Sequence, residues 1–92
     1  MSRFKDQATE DLWEGKPVRR LDRGVRKQAQ RRLQILIAAV SLDDLKVPPS
    51  NKLEALKGDR KGYHSIRVNA QYRLCFKWAE DEATEIEFVD YH

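Results

Sequence analysis

Cysteine is nearly absent from this sequence: Cys75 stands alone among 92 residues, so no internal disulfide can form. Histidine is almost as scarce, and one thiol with two imidazoles, His64 and His92, cannot build the usual four-ligand structural zinc site. The acids between 80 and 87 read as a solvated loop-and-strand run, not as a carboxylate cluster able to hold Mg²⁺. The expectation is a chain with no metal and no cofactor. Long apolar runs are missing too. Arg3, Lys5, Asp6, Glu10 and Asp11 interrupt the stretch where a signal peptide would carry its apolar segment, and nothing approaches the roughly 20 apolar residues of a membrane span. A cytoplasmic protein without membrane contact is expected. Repeats, low-complexity segments and Ser/Gly linkers are lacking as well, so residues 1–92 should form a single domain around one core.

What the chain does have is charge and aromatic residues. Charged residues make up 36% of it, which demands a wet surface over a compact core, while two Trp, three Tyr and three Phe supply enough to bury that disorder is not expected. The net charge of +3 conceals a segregation: residues 1–79 hold all 18 Lys and Arg against nine acids, whereas 80–92 hold six acids and no base. A basic body suits a polyanion such as nucleic acid, although a solvated basic surface looks the same by charge alone.

Local patterns divide the chain into two helical and several extended parts. "SRF" reads as a short opening strand, and "DQATEDLWEG" as a helix entered near Asp6 or Thr9 and stopped at Gly15. From Asp22, a plausible N-cap, Val25, Ala29, Leu33, Leu36, Ile37 and Val40 recur at steps of three and four. Arg23, Arg26, Lys27 and Arg31 lie off that stripe and are candidate RNA contacts, though such faces are most often only solvated. Ser41 with Asp44 signals a capped helical turn, and Pro48 and Pro49 then forbid helix. The stretch from Asn51 onward reads as strands, with Gly58 and Gly62 bracketing a turn and tight hairpins at 69–71 and 80–83.

Alternation along these strands assigns Ile66, Val68, Leu74, Phe76 and Trp78 to the core and Arg67, Arg73, Cys75 and Lys77 to the other face. Arg67 and Arg73 should be neighbours across the 69–71 hairpin, and two adjacent guanidinium groups repel unless an anion lies between them. His64 follows the core-directed pattern and reads as a packed histidine, Cys75 as a small space-filler, and Trp13 and Trp78 as core or helix-docking residues.

The stretch "NKLEALKGDRKGYHSIRVNAQYRLCFKW", followed by a closing "VDYH", resembles the HigB toxins, the branch of the RelE/ParE superfamily often labelled plasmid maintenance system killer proteins. The likeness extends over essentially the whole chain and is thinnest in the N-terminal helices. It implies an α+β fold: a RelE-like small antiparallel sheet with two N-terminal helices packed on one face. It further implies a toxin of a type II toxin–antitoxin system acting as a ribosome-dependent mRNA endonuclease. The implied partners are the ribosome and its mRNA and a HigA-like helix-turn-helix antitoxin, with operator DNA reached only through that antitoxin. By position, Lys57, Arg73, Asp90, Tyr91 and His92 match the family's catalytic or substrate-holding residues. Glu54 stands where some relatives carry a histidine, so either Glu54 substitutes for it or proton transfer relies on His92. Tyr72 replaces a common Trp and keeps a flat aromatic.

The residues meet the chemical requirements of metal-free RNA cleavage, which are a base, an acid, a cation at the phosphate and a grip on the unstacked nucleotide. His92 can move a proton near neutral pH, and Lys57, Arg67 and Arg73 can hold phosphate. Tyr91 can stack on a base and Asp90 can orient a neighbour, while Arg67 and Lys77 extend the RNA-binding set. Lys57 beside Gly58 also reads simply as a residue flanking a turn. Two other readings are a non-enzymatic ParE-like inhibitor of DNA gyrase, and an attenuated toxin acting mainly through antitoxin binding and operon regulation.

Overall fold

The computed structural model describes residues 3–91 as two helices, α1 (Gln7–Glu14) and α2 (Arg23–Ala38), followed by four strands, β1 (Glu54–Ala55), β2 (Tyr63–Arg67), β3 (Tyr72–Ala79) and β4 (Glu82–Asp90). Each helix starts where a carboxylate satisfies an orphan backbone donor: Asp6 accepts from Thr9 N and Asp22 from Val25 N, both at 2.8 Å. Gly15, at φ 78°, closes α1 in the left-handed conformation. A 3₁₀ turn at Leu42–Lys46 carries the reciprocal Ser41–Asp44 cap. Asp44 Oδ2 accepts from the backbone of Val40 and Ser41, which holds its carboxyl below the usual range.

Two expectations at this end need correction. The buried stripe of α2 stops short of Val40, which is 72% exposed, because the helix ends at Ala38 and Asp44 captures the Val40 N–H for the next turn. The opening strand reduces to one parallel bridge between Phe4 and Ile86, with Ser2 outside the described residues.

The strands form an antiparallel sheet in the order β1-β2-β3-β4. Asn69 Oδ1 fixes the first hairpin by accepting from Gln71 N at 2.8 Å and Tyr72 N at 2.9 Å. The second is tighter than expected. Only Glu80 and Asp81 turn, both left-handed at φ 52° and 63°, and Ala83 is already buried in β4. A register shift between Cys75 and Lys77 accompanies the positive φ of Glu85, so β4 carries one extra residue there. This bulge reverses facing, so that Ala83 and Ile86 both reach the core while Glu87 lies opposite Cys75.

The core lies between the helices and one face of the sheet. Leu12, Ala29, Leu33 and Leu36 meet Ile66, Val68, Leu74, Phe76 and Ile86 in one buried cluster, with Trp13 and Trp78 packed partly buried against it. Each fully buried Leu, Ile or Phe contributes roughly 1.5–3 kcal/mol by leaving water. The His64 ring stacks on Phe76 at 6.0 Å between centroids, so it packs as the alternation expected. No described helix is long and apolar enough to cross a membrane.

The free edge of β4 is closed by side chain and backbone together. Lys5 N donates to Ile86 O at 2.8 Å and Ile86 N to Arg3 O at 3.0 Å. Thr9, fully buried, donates to Asp6 Oδ1 at 2.6 Å and accepts from Phe88 N at 3.0 Å, tying α1 to the strand that leads into the C-terminus. Thr9→Val should therefore strand a buried N–H and cost about 1–3 kcal/mol. Thr9→Ser should cost distinctly less. Urea unfolding midpoints of the two variants decide the matter, and equal midpoints would show the hydroxyl to be dispensable.

Candidate functional site

The sheet face turned away from the helices carries Arg67, Arg73 and Lys77. On one side β1 pairs with β2, and on the other the end of β4 pairs with β3. Between them opens a cleft of about 680 Å³ lined by Glu54, Leu56, Lys57, Arg60, Cys75, Val89, Asp90 and Tyr91, among others.

Arg73 anchors one side of this arrangement. Only 8% exposed, it donates from Nε to Ser65 Oγ at 2.8 Å and from Nη2 to the Lys52 carbonyl at 2.6 Å and the Ser65 carbonyl at 3.4 Å. Lys52 sits in the left-handed conformation at φ 47°, immediately after the 3₁₀ turn Pro49–Asn51. Arg67 does lie directly across from Arg73, as alternation required. Arg73 donates to neutral oxygens of the protein, which orient the guanidinium and leave its positive charge in place beside Arg67.

Tyr91 closes over this guanidinium. Its ring centroid lies 5.4 Å from Arg73 Cζ, its N–H donates to Gln71 O at 2.6 Å, and its hydroxyl donates weakly to Glu54 Oε1 at 3.5 Å. The backbone bond to Gln71 ties the residue past the end of β4 to the first hairpin. Asp90 pairs with Tyr72 in the ladder and accepts from Gln71 Nε2 at 3.2 Å. Lys57, exposed, precedes the 3₁₀ turn Gly58–Arg60, where Gly58 at φ 65° admits the sharp bend. His92 lies outside the described residues.

Of the residues nominated from sequence, the structure thus gathers Glu54, Lys57, Asp90 and Tyr91 at one cleft, with Arg73 beneath Tyr91. Arg67 shares that sheet face, and Lys77 stands exposed farther along β3. Arg23, Arg26, Lys27 and Arg31 lie elsewhere, on α2, where they line two shallow depressions that share Lys27. Their neighbour Arg32 donates to Asn51 Oδ1. Among the described residues no carboxylate pairs with these α2 cations, and no group of three potential metal ligands occurs.

Sequence reasoning missed Ser65, Arg60 and the Lys52 carbonyl. The same alternation that placed Arg67 and Arg73 puts Ser65 on their face, two residues along β2 from Arg67 and opposite Cys75, so Ser65 was legible. A backbone carbonyl carries no side-chain signal and was not. Arg60 reaches over the sheet because Glu87 Oε1 holds its Nη1 at 3.1 Å, a carboxylate that the β4 bulge sets opposite Cys75. Burial raises the pKa of the Cys75 thiol, which therefore stays neutral at pH 7.

Helices on one face of an antiparallel sheet, and on the other a cleft lined by Lys57, Arg60, Glu54, Asp90 and the Tyr91 phenol, define a RelE-like toxin fold. YoeB in its complex with YefM from Staphylococcus aureus superposes with a TM-score of 0.59 at 22% identity, over 97% of this chain and 92% of that one. The YoeB dimer of the same organism gives 0.58 at 25% identity, over 97% and 92%. Within that fold the chain belongs to the HigB-like toxins: the model of the RelE-like toxin of type II toxin–antitoxin system HigB matches residues 2–92. It is 41% identical over 90 residues to Toxin HigB-1 of Vibrio cholerae, covering 97% of this chain and 94% of that one. It is 39% identical over 61 residues to the Endoribonuclease HigB of Proteus vulgaris, covering 66% and 65%.

Because Arg73 is buried among its acceptors, Arg73→Ala should lower stability by about 2 kcal/mol as well as alter the cleft. Lys57→Ala, at an exposed position, should stay within about 0.5 kcal/mol of the parent. Urea titrations of both test this, and an unchanged midpoint for Arg73→Ala would show that its bonds contribute no net stability. Cys75 should resist iodoacetamide in the folded protein and react on unfolding. Its raised pKa also makes a sign prediction: stability from the neutral buried thiol is present below the unfolded-state pKa of about 8.5 and declines as pH rises above it, a decline that Cys75→Ala should reduce.

Proposed function

We propose that this chain is a toxin that cuts mRNA on the ribosome, without a metal ion, and that an adjacent-encoded HigA-like antitoxin holds it inactive and represses the operon. It acts in the cytoplasm and meets operator DNA only through that antitoxin. The observation that carries the reading is the placement of Tyr91 between Arg73 and Glu54 at the mouth of a cleft that Lys57 also lines. An aromatic ring, two cations and a carboxylate converge there, which is what an unstacked nucleotide and its phosphate require. The name of the Proteus vulgaris relative supports the activity, and the YoeB–YefM complex supports an antitoxin partner.

In this mechanism Tyr91 stacks on the base and Arg73 and Lys57 hold the scissile phosphate. Glu54 takes the proton of the 2′-hydroxyl. The 2′-oxygen then attacks phosphorus, the bond to the 5′-oxygen breaks, and His92 supplies the proton that oxygen needs. The products are a 2′,3′-cyclic phosphate and a 5′-hydroxyl. Asp90 orients a neighbouring imidazole or arginine. The two cations stabilise the charge that gathers on the phosphate in the transition state, where a pre-aimed guanidinium is worth more than in water. The α2 cations Arg23, Arg26, Lys27 and Arg31, with Arg67, contact RNA phosphates around the decoding site.

Glu54 is where this chain departs from the pattern of relatives that carry a histidine there; its carboxylate accepts from the Tyr91 hydroxyl in the cleft, and in this reading it substitutes as the base. Incubating the purified chain with programmed ribosomes and a short mRNA in EDTA should yield fragments with cyclic-phosphate and 5′-hydroxyl ends. Intact message at enzyme excess would reject the reading, and inhibition of DNA supercoiling in its place would favour the gyrase alternative. Glu54→Gln should lower the cleavage rate by at least roughly a hundredfold, as loss of a general base does. A large gain of cleavage in Glu54→His would instead identify the natural chain as attenuated.

A further inference from the structure

Beyond the cleft, the same sheet face carries a second assembly that the proposed chemistry does not use. Tyr63 on β2 lies opposite Lys77 on β3, and the Lys77 Nζ sits 5.1 Å from the Tyr63 ring centroid. A second ammonium, Lys5 Nζ, lies 5.9 Å from the same centroid. Lys5 also approaches Glu87 Oε1 at 3.6 Å, and that oxygen holds Arg60 Nη1 at 3.1 Å. Two ammonium groups thus flank one half-buried phenol ring, and the Glu87 carboxylate joins one of them to Arg60. Like charges drawn to one ring repel each other, so the patch carries a surplus of two positive charges with an aromatic platform at its centre.

Arg60 joins this patch to the cleft, since it lines the cleft and is paired with Glu87 at its boundary. Along β3, Arg73, Cys75 and Lys77 follow one another on this face, each step of two residues advancing about 6.8 Å. That is close to the reach of one extended nucleotide. A ring flanked by ammonium groups is the arrangement by which proteins hold single-stranded nucleic acid, base on aromatic and phosphate on cation.

We propose that Tyr63, Lys77, Lys5 and Arg60 form a second nucleotide subsite, which holds the single-stranded RNA flanking the one in the cleft. Arg60 takes the phosphate between the two, Tyr63 stacks the flanking base, and Lys77 and Lys5 neutralise the phosphate beyond it. Glu87 positions Arg60 and Lys5 and does not itself touch RNA. The subsite rests on the proposed function only for the identity of its ligand.

Its test is independent of cleavage. Binding of the full chain to an uncleavable 2′-O-methyl hexanucleotide is compared with binding to a dinucleotide long enough only for the cleft. Tyr63→Leu should weaken the hexanucleotide about tenfold, by loss of one stacked base, and leave the dinucleotide unchanged, while Tyr63→Phe should bind both like the parent. Lys77→Ala, at an exposed position, should reduce the slope of log affinity against log salt by about 0.7 for the hexanucleotide alone. Thermal melting of each variant verifies folding. A parent that binds the two oligonucleotides equally, or a hexanucleotide affinity that survives both Tyr63→Leu and Lys77→Ala, overturns the subsite. A parent that shows the subsite yet leaves mRNA intact on ribosomes overturns the nuclease reading and leaves the subsite standing.

Discussion

The bonds that Arg73 makes inside the protein set the geometry of everything around the cleft. A guanidinium with 8% exposure would be a severe liability in an apolar interior, since a buried cation that lacks acceptors costs several kcal/mol. Here Ser65 Oγ, Ser65 O and Lys52 O receive its protons, and each acceptor belongs to a different part of the scaffold from the Tyr91 ring that covers it. One side chain therefore fixes β2, β3, the chain before β1 and the C-terminal approach relative to one another. The same planar fork that makes arginine a phosphate ligand makes it a good internal brace, because its donors point in fixed directions. With Nε and Nη2 engaged, the group is held in one orientation before any substrate arrives, and the ordering cost of aiming it is met during folding.

The brace works because the opposite face of the sheet is rigid. Leu74 and Phe76 alternate with Arg73 and Cys75 along β3, and both are fully buried against α2, so the strand cannot rotate without opening the core. β4 is held equally firmly on its outer edge by Arg3, Lys5 and Thr9, which is how a terminal strand can deliver Asp90 and Tyr91 to a defined place. The bulge near Glu85 completes the design. Without the extra residue, Ala83 and Ile86, three positions apart, could not both face the core, and with Ala83 buried the Glu87 carboxylate that holds Arg60 and Lys5 would turn away from the cleft side.

Much of this was legible from residue type and spacing. Asp6, Gly15 and Asp22 mark the helix ends with chemistry that works locally, so each could be read without knowing the fold. Alternation in 63–78 gave both faces of β2 and β3, because a strand pinned by one buried face has no freedom of register. What escaped were features that depend on a neighbour. Val40 fits the helical stripe yet follows the Asp44 cap, and the positive φ of Glu80, Asp81 and Glu85 falls on residues that give no turn signal comparable to Asn-Gly. The site was legible as a set of residue types, and its assembly was not: Lys52 contributes only a carbonyl, and Arg60 is aimed by an acid 27 positions away.

Charge shows a similar division between internal use and availability. The acids after residue 79 look like a separate negative block in sequence, but in the fold Glu82 lies near Arg3, and Glu87 serves both Lys5 and Arg60. The cations of α2 have no such partners among the described residues, and Arg23, Arg26 and Lys27 occupy the N-terminal half of the helix, where the macrodipole already presents positive charge. Each such cation in the first turn or two costs stability, on the order of 0.3–1 kcal/mol by the macrodipole scale, and none recovers it through an ion pair. A helix selected for folding alone would carry Asp or Glu in that turn. That cost is small beside the burial of Leu33 and Leu36, so the fold tolerates it, and it leaves α2 with a positive face. The protein thus keeps two kinds of positive charge: one hydrogen-bonded to oxygens of the protein and used to build, centred on Arg73, and one without carboxylate partners among the described residues, along α2.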